Sequence, residues 1–251
     1  MKFLISLLVL VCMVFVANAG TCPDSPFIDA SLVGRGKYKD MAKPPYVKTP
    51  KDLNSTELHK HENWMKLALQ ITKAVNGRFG AVIVNENGTL ACTGVNQGKI
   101  NRINHGEIVA INNCSNLYTK NMFEGWTLYT TGEPCPMCQA AIMWTKFKTV
   151  VFGSYVSNMY CERCLNQLPI SSAAINSLGY GIGHYTEIIG GVLEKETDKL
   201  FPTFCKTPKA DPSGIQAVCN NGWSRKCSTT NSAFGAFDPA VQTYHSDSDS
   251  D

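Results

Sequence analysis

Two short motifs, His105-Gly106-Glu107 and Pro134-Cys135-Pro136-Met137-Cys138, constrain this chain more than any other feature of it. Each stands at the start of an apolar stretch with helical spacing, and each carries side chains that bind metals. His105, Cys135 and Cys138 are three donors, one fewer than closes a structural zinc site, so zinc held by them keeps a position for water. Zinc lowers the pKa of its bound water to about 7. Glu107 adds a carboxylate that does not bind the metal and can carry protons. Whatever the chain folds into must therefore bring the starts of two helices, far apart in sequence, against one ion.

The first turn of a helix suits this task. Unpaired N–H groups and the positive end of the dipole favour thiolates over thiols there. Cys135 and Cys138 are three apart, which sets both sulfurs on one side of the turn. Pro134 and Pro136 stiffen it where Pro is tolerated. Taken singly, H-x-E is often a solvated helix face, and C-x-x-C is often a disulfide or half of a metal knuckle. Their conjunction, in this order and with Pro before the first Cys, is far more specific. A rival four-cysteine zinc site would add Cys161 and Cys164. A predicted helix and strand lie between the two pairs and would hold them apart, so a disulfide or a loop clamp suits Cys161 and Cys164 better.

Around the motifs, helices and strands alternate. A helix over residues 55–75, capped by Ser55 or Thr56, turns Trp64, Ala68, Ile71 and Val75 to one face. Residues 81–84 and 89–94 flank an Asn-Gly turn and read as a hairpin. A loop over 95–104 precedes a helix over 105–113, a strand over 126–131, a helix over 136–146 and a strand over 149–152. A short helix over 171–178 and a last strand over 185–193 complete the order αββαβαβαβ. This pattern predicts an α/β fold with a largely parallel sheet covered on both faces and an antiparallel first pair.

The two ends differ from this domain, assigned to 55–200. Lys2, the apolar run 3–16 and Ala17-Asn18-Ala19 have the form of a secretory signal peptide over residues 1–19. The run is shorter than the roughly 20 residues a membrane span needs. The expected mature chain is secreted and free of the membrane. Residues 20–54 form an extended lead-in rich in Pro, Lys and Gly. Residues 201–251 form a Cys-containing, irregular extension whose Ser-Asp end is expected to be disordered. Of the 11 cysteines, one lies in the leader and two in the zinc motif, leaving eight. In a secreted chain these are expected to pair, with Cys92 and Cys114 the best candidates for buried thiols instead. Asn54, Asn87 and Asn113 each begin an N-x-[ST] triplet, and Asn87 sits at the expected hairpin tip. With 23 basic and 20 acidic residues, the charge offers no broad footprint for a polynucleotide.

From residue 61 to about 193 the chain resembles the cytidine and deoxycytidylate deaminase superfamily, whose signature is this pair of motifs. The branch it is most similar to contains guanine deaminases and tRNA adenosine deaminases. The similarity rests on Arg78-Phe79-Gly80-Ala81-Val82-Ile83-Val84, on Gly94-Val95-Asn96, and on Glu133-Pro134-Cys135-Pro136-Met137-Cys138 with Ala141-Ile142. The resemblance implies a three-layer α/β/α sandwich around a five-stranded mixed sheet, Zn2+ as cofactor, base contact by Asn96 and a homodimer. Gly106 stands where Ala is common, and Arg78 where Pro is frequent. Guanine deaminases of the branch use an acidic residue after the fourth strand, where only Glu162 is available between 157 and 183.

The expected function is a secreted zinc-dependent hydrolase that takes an exocyclic amino group from a free base or nucleoside, a purine before cytosine, and releases ammonia. Glu107 is its expected proton carrier. One alternative keeps the chemistry on adenosine or cytidine in nucleic acid, contacted by Lys99, Arg102, Lys146 and Lys148. Another is a secreted binding protein with a retained zinc site, for which Glu107 would have no use.

Overall fold

The computed structural model describes residues 47–207, 215–227 and 237–244. The leader, the lead-in up to residue 46 and the Ser-Asp end lie outside these residues. The first helix, α1 (Ser55–Ala74), is capped one residue before Ser55, the earlier of its two expected caps. Asn54 is the cap: its side chain accepts the Glu57 N–H at 2.9 Å, and the Glu57 carboxylate accepts the Asn54 N–H at 3.2 Å. This reciprocal box satisfies two orphan donors and outcompetes a hydroxyl cap.

The hairpin follows as β1 (Gly80–Val84) and β2 (Leu90–Val95). Asn85 organises its turn by accepting from the N–H groups of Asn87 and Thr89, and Gly88 takes the positive φ of 75° that the turn requires. Then come α2 (Gly106–Tyr118), β3 (Thr127–Gly132), α3 (Pro136–Trp144) and β4 (Thr149–Ser154). The short α4 (Ser172–Asn176), β5 (Glu187–Ile189) and α5 (Glu194–Thr197) complete the domain.

The five strands lie in the order β2-β1-β3-β4-β5. β1 is antiparallel to both neighbours, while the β3–β4 and β4–β5 pairs are parallel. The sheet is thus mixed rather than largely parallel. Strands joined through helices do run the same way, as a crossover demands, but β1 sits between β2 and β3 and reverses two of the four pairings.

Strand alternation builds the layers. Ala81, Ile83, Leu128, Val150 and Phe152 point to the face covered by α2 and α3, where Ala110, Ile111 and Ile142 meet them. Val82, Val84, Tyr129 and Val151 point to the other face, against Met65 and Ala68 of α1. The arrangement is the three-layer α/β/α sandwich. Each such aliphatic side chain contributes about 1.5–3 kcal/mol by leaving water. The chain is engaged with this core before residue 55: Lys48 bridges Ile189 in parallel, and its ammonium pairs with Glu187. No helix of the described residues is long and apolar enough to cross a membrane.

Beyond Phe201 the described residues are not irregular. They form an antiparallel sheet of β6 (Cys205–Thr207), β7 (Ile215–Cys219), β8 (Trp223–Cys227) and β9 (Phe237–Tyr244). Cys92 and Cys114 are not thiols but a disulfide joining β2 to α2. Cys164 is bonded to Cys219, and Cys161 is also disulfide-bonded, which removes both from any four-cysteine metal site.

Candidate metal centre and active site

The loop after β2 and the end of β3 deliver the two motifs to one place. His105 is the N-cap of α2 and Cys135 the N-cap of α3, with Cys138 in the first turn of α3. His105 Nδ1 lies 3.5 Å from Cys135 Sγ and 3.6 Å from Cys138 Sγ. Zn–N and Zn–S bonds of about 2.0 and 2.3 Å at a tetrahedral angle span about 3.5 Å, so His105 already stands from both sulfurs at the spacing zinc requires, and the three donor atoms lie within 4.8 Å of one another. Among the described residues this is the one such group of three. Cys135 and Cys138 are buried and His105 is half-buried.

Their ionisation is coupled. The Cys138 thiol donates towards Cys135 and holds it well below the usual thiol range, while that bond and burial push Cys138 up. His105 is raised by its bond to Cys135. The cluster thus keeps a thiolate ready for a cation.

Glu107 is 3% exposed, and burial raises its carboxyl above the ordinary range. Its Oε1 accepts from Thr130 Oγ1 at 3.2 Å. A buried carboxyl with a raised pKa beside a metal set can both take and return a proton.

Asn96 is exposed, just after β2. Its N–H donates to Phe79 O at 3.0 Å, and its Oδ1 accepts the Gly98 N–H at 3.1 Å. Among the described residues nothing accepts from its amide nitrogen, which is left as the donating end. Asn96, Lys99, Arg102 and His105 line one open cleft of about 910 Å³. Lys146 is not part of it, since its ammonium binds Ile182 O at 2.8 Å.

Close backbone approach holds the cleft together. A Cβ on Gly94 would stand 2.4 Å from Ala110 N and from Gly106 O, so β2 touches α2 directly. A Cβ on Gly106 would stand 3.1 Å from Gly80 Cα and 3.2 Å from Phe79 O. Gly106 is therefore more than a loosened helix start: it lets β1 approach the turn that carries His105. Sequence reasoning did not single out Thr130, and it placed Gly94 only in the segment leaving the second strand. The signal for Thr130 was two consecutive threonines, both fully buried, in a strand.

The cytidine and deoxycytidylate deaminase zinc-binding region matches residues 58–154. A tRNA-specific adenosine deaminase of Bacillus subtilis is 29% identical over 148 residues, which are 57% of this chain and 87% of that protein. A guanine deaminase of the same organism is 31% identical over 103 residues, 38% of this chain and 64% of that protein. A solved guanine deaminase from Nitrosomonas europaea superposes with a TM-score of 0.47 at 19% identity, over 59% of this chain and 91% of that one. With the donor set at zinc spacing and the carboxylate beside it, residues 58–154 match the zinc-binding region of cytidine and deoxycytidylate deaminases, and the enzyme built on it is a deaminase.

Proposed function

We propose that this chain is a secreted hydrolytic deaminase that converts a free purine base or its nucleoside to the oxo form and releases ammonia. The observation that carries the proposal is Glu107, a buried carboxylate with a raised pKa set next to three donors at zinc spacing. His105, Cys135 and Cys138 would hold the zinc, which when bound would supply a water that ionises near neutral pH. Glu107 takes one proton from the water as its oxygen bonds to the amino-bearing carbon, returns that proton to a ring nitrogen, then takes the second proton from the new C–OH and gives it to the amine as the C–N bond breaks, leaving the oxo base and ammonia. Thr130 Oγ1 holds one oxygen of that carboxylate and limits its rotation. The Asn96 amide nitrogen, free to donate, meets an acceptor on the base. A purine is preferred because the relatives named above act on adenosine in tRNA and on guanine. Secretion is supported by the leader and by disulfides, which persist in oxidising compartments.

A second reading rests on Lys99 and Arg102, two cations lining the cleft beside His105. They suit a phosphate, so adenosine or cytidine within a nucleic acid is the alternative substrate. Ammonia release measured with guanine, adenine, cytosine, their nucleosides and a single-stranded oligonucleotide separates the two. Turnover of one monomer, insensitive to salt, supports the first. Turnover of the oligonucleotide alone, falling steeply with salt, favours the second, and no turnover of any of them contradicts both.

A further inference from the structure

One buried carboxylate has no part in the chemistry above. Glu133, 4% exposed, follows β3 and precedes Pro134-Cys135. Its Oε2 accepts the Val156 N–H at 2.8 Å, and its Oε1 accepts both the N–H and the hydroxyl of Ser172 at 2.8 Å each. Val156 and Ser172 are the two ends of the excursion between β4 and α4. A single side chain therefore closes this long loop at both ends and fastens it to the start of the second ligand helix. Its own N–H donates to Ser154 O at 2.8 Å, which fixes the backbone from which it works.

The loop so held is part of the architecture around the metal set. Met159, Tyr160, Cys161 and Leu165 cluster with Phe201, and Phe79 packs against them. Phe79 and Met159 meet over Gly132, where an added Cβ would stand 3.0 Å from Phe79 Cε1 and 3.2 Å from Met159 Cε. Phe79 in turn accepts the Asn96 N–H through its carbonyl. Contacts thus run from Glu133 through Val156, the Met159 cluster and Phe79 to Asn96, while Glu133 is two residues from Cys135. The ties within the loop run elsewhere: Arg163 bonds Phe201 O and Asn158 bonds Asp198, both beyond β5, and Cys164 is bonded to Cys219.

We propose that Glu133 is a positioning residue for the deamination: it staples the 156–172 loop to the metal helix and so fixes the distance between the metal set and Asn96. The chemistry of the staple calls for a carboxylate. Three donors converge on two oxygens, and an amide in its place would turn an NH2 group towards one of those donors. The kinetic consequence rests on the deaminase reading; the structural one does not.

The full chain is compared with Glu133→Gln, Ser172→Ala and Ser172→Thr by amide hydrogen exchange, bound zinc, and kinetics on whichever of guanine, adenosine or cytosine the wild type turns over. Glu133→Gln is expected to speed exchange across residues 156–172 about tenfold, with β3 and β4 unchanged. Zinc should stay at the wild-type level while KM rises about tenfold and kcat changes much less. Ser172→Ala should move both readouts in the same direction by less, and Ser172→Thr, which keeps the hydroxyl, should restore them. Unchanged exchange and KM in Glu133→Gln overturn the proposal, as does an equal loss of protection over the whole sheet. If Glu133→Gln does not fold, the Ser172 pair decides: Ser172→Ala matching the wild type in loop exchange and KM overturns it. A wild type without turnover would sink the deaminase reading and leave the exchange comparison to decide the staple.

Discussion

Single residues set the approach distances in this site. At Gly94 an added Cβ would meet two backbone atoms of α2 at 2.4 Å, and neither backbone can give way cheaply. Gly94→Ala should lower stability by about 3 kcal/mol, the upper end of the cost of overpacking. Gly106→Ala gains about 1 kcal/mol of helix propensity but crowds Gly80 and Phe79, so its net loss should be much smaller. Urea unfolding of the two variants checks the order, which would be reversed if the helix start rather than the β2–α2 contact were the tight point. The grouping of His105, Cys135 and Cys138 as candidate donors was legible in the sequence because zinc chemistry restricts residue type and spacing. Glu133 was visible in the quoted motif, but its work depends on Val156 and Ser172, which no local spacing connects to it.

At the scale of elements, periodicity carried the helices and the hairpin, and failed where tertiary contacts decide. The expected caps of α1 gave way to Asn54, whose box with Glu57 satisfies donors at both ends of the pair. The C-terminal sheet was hidden because β6 is only three residues long and β7, β8 and β9 show no sustained alternation. The segment before α1 was hidden too, although Lys48 seats on the edge of the domain at Glu187. Burial alone would raise the Glu187 carboxyl, but hydrogen bonds from Lys48 and Thr149 outweigh it and hold the group below its ordinary 4.5. A depressed carboxylate stabilises the fold above its unfolded pKa, and that contribution is lost as pH falls through the folded value. Both side chains are more than a third exposed, so Glu187→Gln should cost only about 0.5 kcal/mol at pH 7. The deficit should vanish in acid, which chemical denaturation from pH 7 to pH 3 would register; a deficit independent of pH would show that the ion pair is not its source. The Cys92–Cys114 disulfide closes 22 residues between β2 and α2, and replacing both cysteines by Ala should cost about 3 kcal/mol. An unchanged thermal midpoint under reducing conditions would contradict that bond.

For the molecule as a whole, fold and chemistry lead to the same place. Two crossovers lay helices on the sheet so that their N-termini meet beyond the ends of β2 and β3, and the motif residues occupy those N-termini. The sequence showed which residues would meet; the cleft that joins Asn96, Lys99, Arg102 and His105 became visible only with the loop after β2 in place. The central claim is that Glu107 moves protons beside a bound zinc. It is tested most directly by measuring bound zinc and ammonia release on the same preparations of wild type and Glu107→Gln, with the best substrate of the panel above. The account predicts about one zinc per chain in both proteins and a loss of turnover of about a thousandfold in the variant. Full turnover by Glu107→Gln with zinc in place would contradict it.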